Sequence, residues 1–201
     1  MRLLVPVKDR KNKELEKKAA TQFPISNSLD PDFVCIPEVL SPAGYRTARL
    51  GKWHLGDDTQ GFDLSSANGK GGPNGRFYGN VDVAEQLTDR AVEFIEENRD
   101  GPFFLYLTHW DVHGPHRARQ DIVKKYRSKL NKLPEERRRN FSPVYAAMIE
   151  AVDQSVRRLV AKVDELGLAE KTLIVFISDN GGLPSVSQLE PLRGQKGSLF
   201  E

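Results

Sequence analysis

Three short polar clusters contain the side chains that could do chemistry in this chain of 201 residues. Lys52 and His54 stand two positions apart between glycines, three of the four histidines fall within residues 109–116, and Asp179 is followed by Asn180 and two glycines. Ammonium and imidazole groups hold anions and transfer protons, whereas carboxylate and carboxamide oxygens are ligands for hard cations such as Ca²⁺. These residue types indicate a site that handles an anionic group together with a cation.

Each cluster also has a purely structural interpretation. Asp-Asn-Gly-Gly is good turn chemistry, and a single histidine is most often packed or solvated. The spacing of His109, His113 and His116, in a loop that Pro115 interrupts, matches no standard zinc motif. A positively charged, proton-donating wall for an anion suits these histidines better than a zinc site.

The clusters follow three apolar segments that the sequence predicts to be strands, at residues 45–50, 103–108 and 172–178. The last of these has almost no polar alternation, which is typical of a central strand that is buried on both faces. Amphipathic helices are predicted at 84–98 and 143–166. The order indicates an α/β fold with a mixed, mostly parallel sheet sandwiched by helices, so the three clusters should meet at the carboxyl edge of the sheet.

Composition excludes several classes of protein. A formal net charge of +2 offers no electrostatic case for nucleic acid, and a single cysteine excludes an internal disulfide. No membrane span or export signal is visible, and the oligomeric state is not indicated. Residues 1–32 are predicted to be an irregular N-terminal segment and residues 57–80 a long surface loop within one domain that spans residues 1–201.

Four motifs in order, at residues 44–56, 103–115, 178–182 and 193–197, resemble the sulfatase family of the alkaline-phosphatase-like superfamily. The resemblance implies an incomplete alkaline-phosphatase-like fold and the hydrolysis of sulfuric esters, on a sulfated carbohydrate or an aryl sulfate. It also implies an extracytoplasmic location, whether periplasmic, secreted or lysosomal.

By position, the resemblance implies four catalytic residues. Lys52 and Lys196 correspond to the ammonium groups that hold the sulfate oxygens, and Lys196 also lies near the leaving oxygen. His54 corresponds to the histidine that supports the nucleophile. His113 corresponds to the histidine that contacts the sulfate and assists departure of the alcohol.

The same resemblance implies that Asp179 and Asn180 are the second pair of ligands for a Ca²⁺ ion, with Mg²⁺ as an alternative. The family's nucleophile is a formylglycine made from a Cys/Ser-x-Pro-x-Arg motif, which should precede residue 51 together with a strand that ends in paired aspartates. Cys35 has proline in step but Val39 in place of arginine, so it is interpreted as a small core residue. The sequence is therefore interpreted as an internal fragment of a sulfatase, inactive by itself and with exposed apolar edges.

Two alternative functions remain at this point. One is a phosphodiesterase or phosphatase of the same superfamily, although such two-metal sites use more Asp and His ligands than the Lys-x-His motif supplies. The other is a non-catalytic anion-binding relic whose basic residues hold sulfated glycans.

Overall fold

The computed structural model describes five ranges of the chain, residues 28–56, 59–66, 80–138, 141–187 and 189–198. Most of the predicted irregular N-terminal segment, residues 1–27, lies outside them, as do residues 57–58 and 67–79 of the predicted surface loop.

Three parallel strands form the sheet: β1 (Arg46–Gly51), β2 (Leu64–Ser65) and β3 (Phe103–Thr108), in the order β2-β1-β3. β1 lies in the centre and is buried over its last five residues. β1 and β3 are paired along their whole length, so their carboxyl ends lie side by side. The α/β class and the two strands predicted at 45–50 and 103–108 are confirmed.

Helix α2 (Val83–Glu97) covers one face of the sheet; a short helix, α1 (Ile36–Leu40), precedes β1. Apolar residues of α2 at helical spacing pack on β1 in one cluster, made of Leu50, Val83, Leu87 and Ala91. The amphipathic helix predicted at 84–98 is therefore confirmed within one residue at each end.

Aromatic rings cover the opposite face of the sheet. Phe62 stacks on Phe104 and Tyr106, with ring centroids 6.0 and 6.2 Å apart, and Trp53 meets it edge-on at 6.4 Å. Phe62 is buried, and β2 follows it two residues later. The described part of the segment predicted as a surface loop thus contributes to the core, because an aromatic residue among its polar neighbours anchors it to the sheet.

Two further helices, α3 (Gln120–Asn131) and α4 (Pro143–Glu165), form an outer layer. Ser142 caps α4, since its hydroxyl accepts a hydrogen bond from the Tyr145 backbone N–H at 3.2 Å. The amphipathic pattern of this helix predicts that its apolar residues are buried, but Ile149 and Val160 are 49% and 38% exposed, because α2 and α3 cover only part of the apolar stripe. None of the described helices combines the length and the apolar character needed to cross a membrane.

The central strand predicted at 172–178 is not formed. This segment has no regular secondary structure and pairs with no strand among the described residues. Its apolar side chains face solvent, with Leu173 88% exposed and Phe176 72% exposed. A strand needs a neighbour for its backbone groups, and no described strand occupies that position. The exposed apolar edge expected from the sequence is present at this segment.

Arg49 is a buried cation on β1 and only 1% exposed. Its guanidinium lies 4.2 Å from the centre of the Trp53 ring and donates one hydrogen bond to the Ser65 hydroxyl. Its Nε and Nη1 atoms have no partner among the described residues, and burial lowers the pKa of the guanidinium. A buried charge without a carboxylate partner is costly to the folded state.

Replacing this charge with an apolar side chain of similar length should stabilise the fold. We expect Arg49→Met to raise the free energy of unfolding by about 1–3 kcal/mol in urea titrations. Arg46→Met on the same strand is the matched control, because the Arg46 side chain is 57% exposed and forms a surface ion pair with Asp63. A loss of stability in Arg49→Met would mean that a group outside the described residues holds the guanidinium.

Candidate functional site

Lys52 and His54 follow β1 directly, and the buried Trp53 between them anchors the segment to Phe62. Lys52 is half-buried and His54 is exposed. The Lys52 backbone N–H donates to the Thr108 carbonyl at 2.9 Å, and the Thr108 hydroxyl donates to the Lys52 carbonyl at 2.6 Å. These bonds hold Lys52 against the end of β3, beside the loop that begins at residue 109.

Gly51 makes this close approach of the two strand ends possible. Its φ is +102°, and a Cβ atom at this position would lie 1.9 Å from the Thr108 carbonyl oxygen. Any other residue would force β1 away from β3. The glycine before Lys52 is therefore a geometric requirement of the site.

His113 is the exposed histidine of the loop after β3. Its Nδ1 atom lies 2.7 Å from the Gly114 carbonyl oxygen, and its backbone N–H donates to the Trp110 carbonyl at 2.9 Å. Because a carbonyl oxygen can only accept, Nδ1 carries the proton. Nε2 is then the atom that exchanges a proton when the ring acts as an acid or base.

The other two histidines of the loop are packed rather than presented to a ligand. Burial lowers the pKa of His109 to about 4, so its ring is neutral at neutral pH. His116 lies edge-on against Tyr145, with ring centroids 5.5 Å apart. His109 therefore adds no positive charge to the predicted wall, and His113 is the one exposed imidazole of the loop.

Asp111 lies on the same loop and lines a small cavity with His113. Asn80 and Arg117 contribute polar side chains to the cavity wall, and Trp110 contributes an aromatic surface. Burial raises the pKa of the Asp111 carboxyl group to about 6. Asn80 and Asp111 are 31 positions apart, and the sequence carried no signal that both would line one cavity.

Residues 178–182 form a second part of the candidate site. The Ser178 hydroxyl donates to the Asn180 carbonyl at 2.8 Å, and Asp179 is exposed. The backbone N–H of Lys196 donates to the Gly182 carbonyl at 3.0 Å. Lys196, also exposed, is thus tied by its backbone to Gly182, two positions after Asn180.

The structure brings the predicted site residues together in two groups. Lys52 is held at the end of β3, beside the loop of His113, and His54 follows it two positions later. Asp179, Asn180 and Lys196 form the second group, but the sheet does not position it, because the strand predicted to carry it is not formed. The roles of all six residues remain predictions.

Asp179 and Asn180 fit a calcium ion in chemistry but supply only part of its coordination. Within the described ranges, no group of three or more His, Cys, Asp or Glu side chains could hold a metal. Ca²⁺ takes about six to eight oxygen ligands, whereas this pair supplies one carboxylate and one carboxamide. The donors match the ion, and about four or more further oxygen ligands would be needed to complete its coordination.

Cys35 is unsuited to the role of nucleophile and does not belong to the core. It lies half-buried at the start of α1, and its Sγ donates to Gln60 Oε1 at 3.3 Å. Burial and the neighbouring Glu38 carboxylate raise the pKa of the thiol, which disfavours the reactive thiolate. The interpretation of Cys35 as a small core residue is wrong, because its thiol serves a polar contact at a helix start.

The Asp111 pKa predicts how stability depends on pH. Its ordinary pKa is 3.8 and its folded pKa is about 6, so the folded state holds this proton more tightly than the unfolded chain. The penalty is absent at low pH, grows between pH 3.8 and pH 6, and is complete above pH 6. We expect Asp111→Asn to raise the free energy of unfolding by about 2–3 kcal/mol at pH 7.5, and to lose most of that gain near pH 4. Urea titrations at the two pH values would contradict this if the gain were the same at both.

The profile of the sulfatase family, described as "Sulfatase", matches residues 12–199 of this chain. Mouse (Mus musculus) arylsulfatase J is 29% identical over 208 residues, which cover 87% of this chain and 33% of that protein. Mouse N-acetylgalactosamine-6-sulfatase is 29% identical over 183 residues, 73% of this chain and 32% of that protein. The chain thus spans about a third of the length of these curated relatives.

The crystal structure of Ps i-CgsB in complex with k-i-k-neocarrahexaose has a similar fold. The match has a TM-score of 0.68 at 28% identity, and it covers 87% of this chain and 46% of that chain. The alkaline-phosphatase-like α/β fold that the motifs implied is therefore confirmed. With the profile matched over nearly the whole sequence, the chain belongs to the sulfatase family.

Proposed function

We propose that this chain is part of a sulfuric ester hydrolase that cleaves sulfate esters of carbohydrates. The observation that carries the proposal is the placement of Lys52 against the end of β3, beside the loop that presents His113. A sulfate ester resists attack until the charge on its oxygens is offset by fixed cations. The Lys52 ammonium group, at the end of β1, and the His113 imidazole, in the loop after β3, are placed to meet this requirement.

Four residues have separate catalytic roles in this proposal. The Lys52 and Lys196 ammonium groups bind the sulfate oxygens and stabilise the charge that builds up on them. His113 holds a proton at Nε2 for the leaving alcohol oxygen, because its Nδ1 proton is already engaged with the Gly114 carbonyl. His54, exposed two positions after Lys52, orients the nucleophile.

Two groups from outside these residues complete the proposed site. Asp179 and Asn180 would hold a Ca²⁺ ion, or Mg²⁺ as the alternative, which would supply further positive charge at the sulfate. A formylglycine would supply the nucleophile, and Cys35 does not fit that role because Val39 replaces the arginine of the motif. We expect the nucleophile and the other metal ligands in the complete enzyme, and no turnover by residues 1–201 alone.

The relatives favour a sugar as the substrate. Ps i-CgsB was crystallised with a neocarrahexaose, and the mouse relative is named for N-acetylgalactosamine 6-sulfate. We extend that class to this chain as sulfated carbohydrate, with aryl sulfate as a laboratory substrate. An extracytoplasmic location belongs to the same proposal.

The test compares two ester chemistries in the complete enzyme that contains this chain. We expect release of 4-nitrophenol from its sulfate ester in the presence of Ca²⁺, with much slower release from the phosphate monoester and the phosphodiester. Faster cleavage of either phosphate ester would favour the phosphatase alternative. Salt-sensitive binding of a sulfated polysaccharide without any hydrolysis would favour the anion-binding relic.

A further inference from the structure

A cavity beside His113 contains a carboxyl group that the proposed chemistry does not use. Asp111, His113, Asn80 and Arg117 line it, and it is open to solvent with room for about one water-sized group. Pockets that enclose a whole small molecule are usually larger, about 300–1,000 Å³. The cavity therefore suits one edge of a ligand and not a complete sugar.

The Asp111 carboxylate makes no hydrogen bond or ion pair with any other residue that the structure describes. It is half-buried in the cavity wall, and this burial raises its pKa to about 6. Buried polar groups normally have a partner, and an unpartnered one in a cavity marks a place where a ligand atom can bind. Asp111 is thus an acceptor that is available at the mouth of the candidate site.

The remaining cavity wall supplies donors. Asn80 uses its carbonyl oxygen to accept the Asp82 backbone N–H at 3.1 Å, so its carboxamide N–H groups are the part that a ligand can use. Arg117 adds a guanidinium, which offers only donors. The cavity therefore combines an acceptor at Asp111 with donors at Asn80 and Arg117.

This combination selects for a neutral hydroxyl group. An anion would meet the Asp111 carboxylate and a cation would meet the Arg117 guanidinium, whereas a hydroxyl donates to the former and accepts from the latter. A metal ion is disfavoured because Asp111 is the only carboxylate among the described residues of this cavity wall. Because His113 lines the same cavity, a hydroxyl bound here would belong to the alcohol part of the ester.

We propose that Asp111 is a specificity residue that binds a hydroxyl group of the sugar carrying the sulfate ester, with Asn80 as its donor partner. The inference rests on the proposed sulfatase function and adds the part of the substrate that this cavity recognises. It implies that sulfated sugars gain affinity from a contact that an aryl sulfate cannot make.

The experiment uses the complete enzyme with two substrates, 4-nitrophenyl sulfate and a panel of carrageenan, chondroitin and heparin oligosaccharides. We expect Asp111→Ala to lower kcat/KM on the preferred oligosaccharide by about 10–100-fold more than on the aryl sulfate, mainly through KM. Asp111→Asn, which keeps an acceptor oxygen, should lose less. Asp100→Asn is the matched control, because the Asp100 side chain is 93% exposed, and it should leave both activities unchanged.

Each result separates this inference from the function on which it rests. Equal losses on both substrates, or no loss on the oligosaccharide, would overturn the role of Asp111 and leave the sulfatase proposal intact. Turnover of the aryl sulfate without turnover of any sulfated sugar would also overturn the role of Asp111 and leave the sulfatase proposal intact. A wild-type enzyme that cleaves no sulfate ester would instead overturn the proposed function, and the role of Asp111 with it.

Discussion

Lys52→Met in the complete enzyme should lower kcat/KM for sulfate esters by about 10²–10³, the usual effect of removing one fixed group that stabilises charge in a transition state. Methionine keeps much of the length of the side chain and removes only the ammonium. The backbone bonds between Lys52 and Thr108 need no particular side chain, so the strand end should stay in place. The loss should therefore appear in turnover and not in the thermal midpoint.

An exposed lysine of α3 provides the control for this experiment. Lys124→Met removes the same charge from a solvated helix face, so its turnover should match that of the wild type. Lys196→Met should behave like Lys52→Met, because both ammonium groups are proposed to hold the sulfate. If Lys52→Met retained full activity, or if Lys124→Met lost as much, the placement of the sulfate beside β1 would be wrong.

The second large effect concerns stability. Leu87→Ala should lower the free energy of unfolding of this chain by about 3–5 kcal/mol, since Leu87 is fully buried between α2 and β1. The sheet of the described residues has three strands, so we expect a small free energy of unfolding for this chain. Even a complete domain typically has a free energy of unfolding of only about 5–15 kcal/mol. We therefore expect Leu87→Ala to lose much of the stability of this chain, which urea titrations followed by circular dichroism would show as a much lower midpoint.

Leu173→Ala makes the same chemical change at a site that is 88% exposed, so it is the matched control. It should change the free energy of unfolding by less than about 0.5 kcal/mol and reduce the binding of a hydrophobic dye. A cost in Leu173→Ala comparable to that in Leu87→Ala would mean that segment 172–178 is buried after all. Measured in the complete enzyme, the same comparison would show whether a neighbouring strand covers this segment there.

Local pattern alone was enough to predict most of the secondary structure. The apolar run of β3, the helical spacing that leads to Leu87, and the serine and proline at the start of α4 each act over a few residues. Such short-range signals depend on side-chain size and backbone preference, and both are properties of the residue types themselves. The segment at 172–178 has the same apolar signal, yet it is not a strand, because strand formation also requires a partner in space.

Four motifs in order were enough to identify the family and to predict the types of side chain that the site would contain. Which of these side chains lie near one another depends on the packing of distant segments. The parallel pairing of β1 with β3 places Lys52 beside the loop of His113, buries His109, and leaves Asp111 without a partner among the described residues. The physical reason is that burial and pairing arise between segments far apart in the chain, so a pKa or an unpartnered carboxylate exists only after the fold has formed.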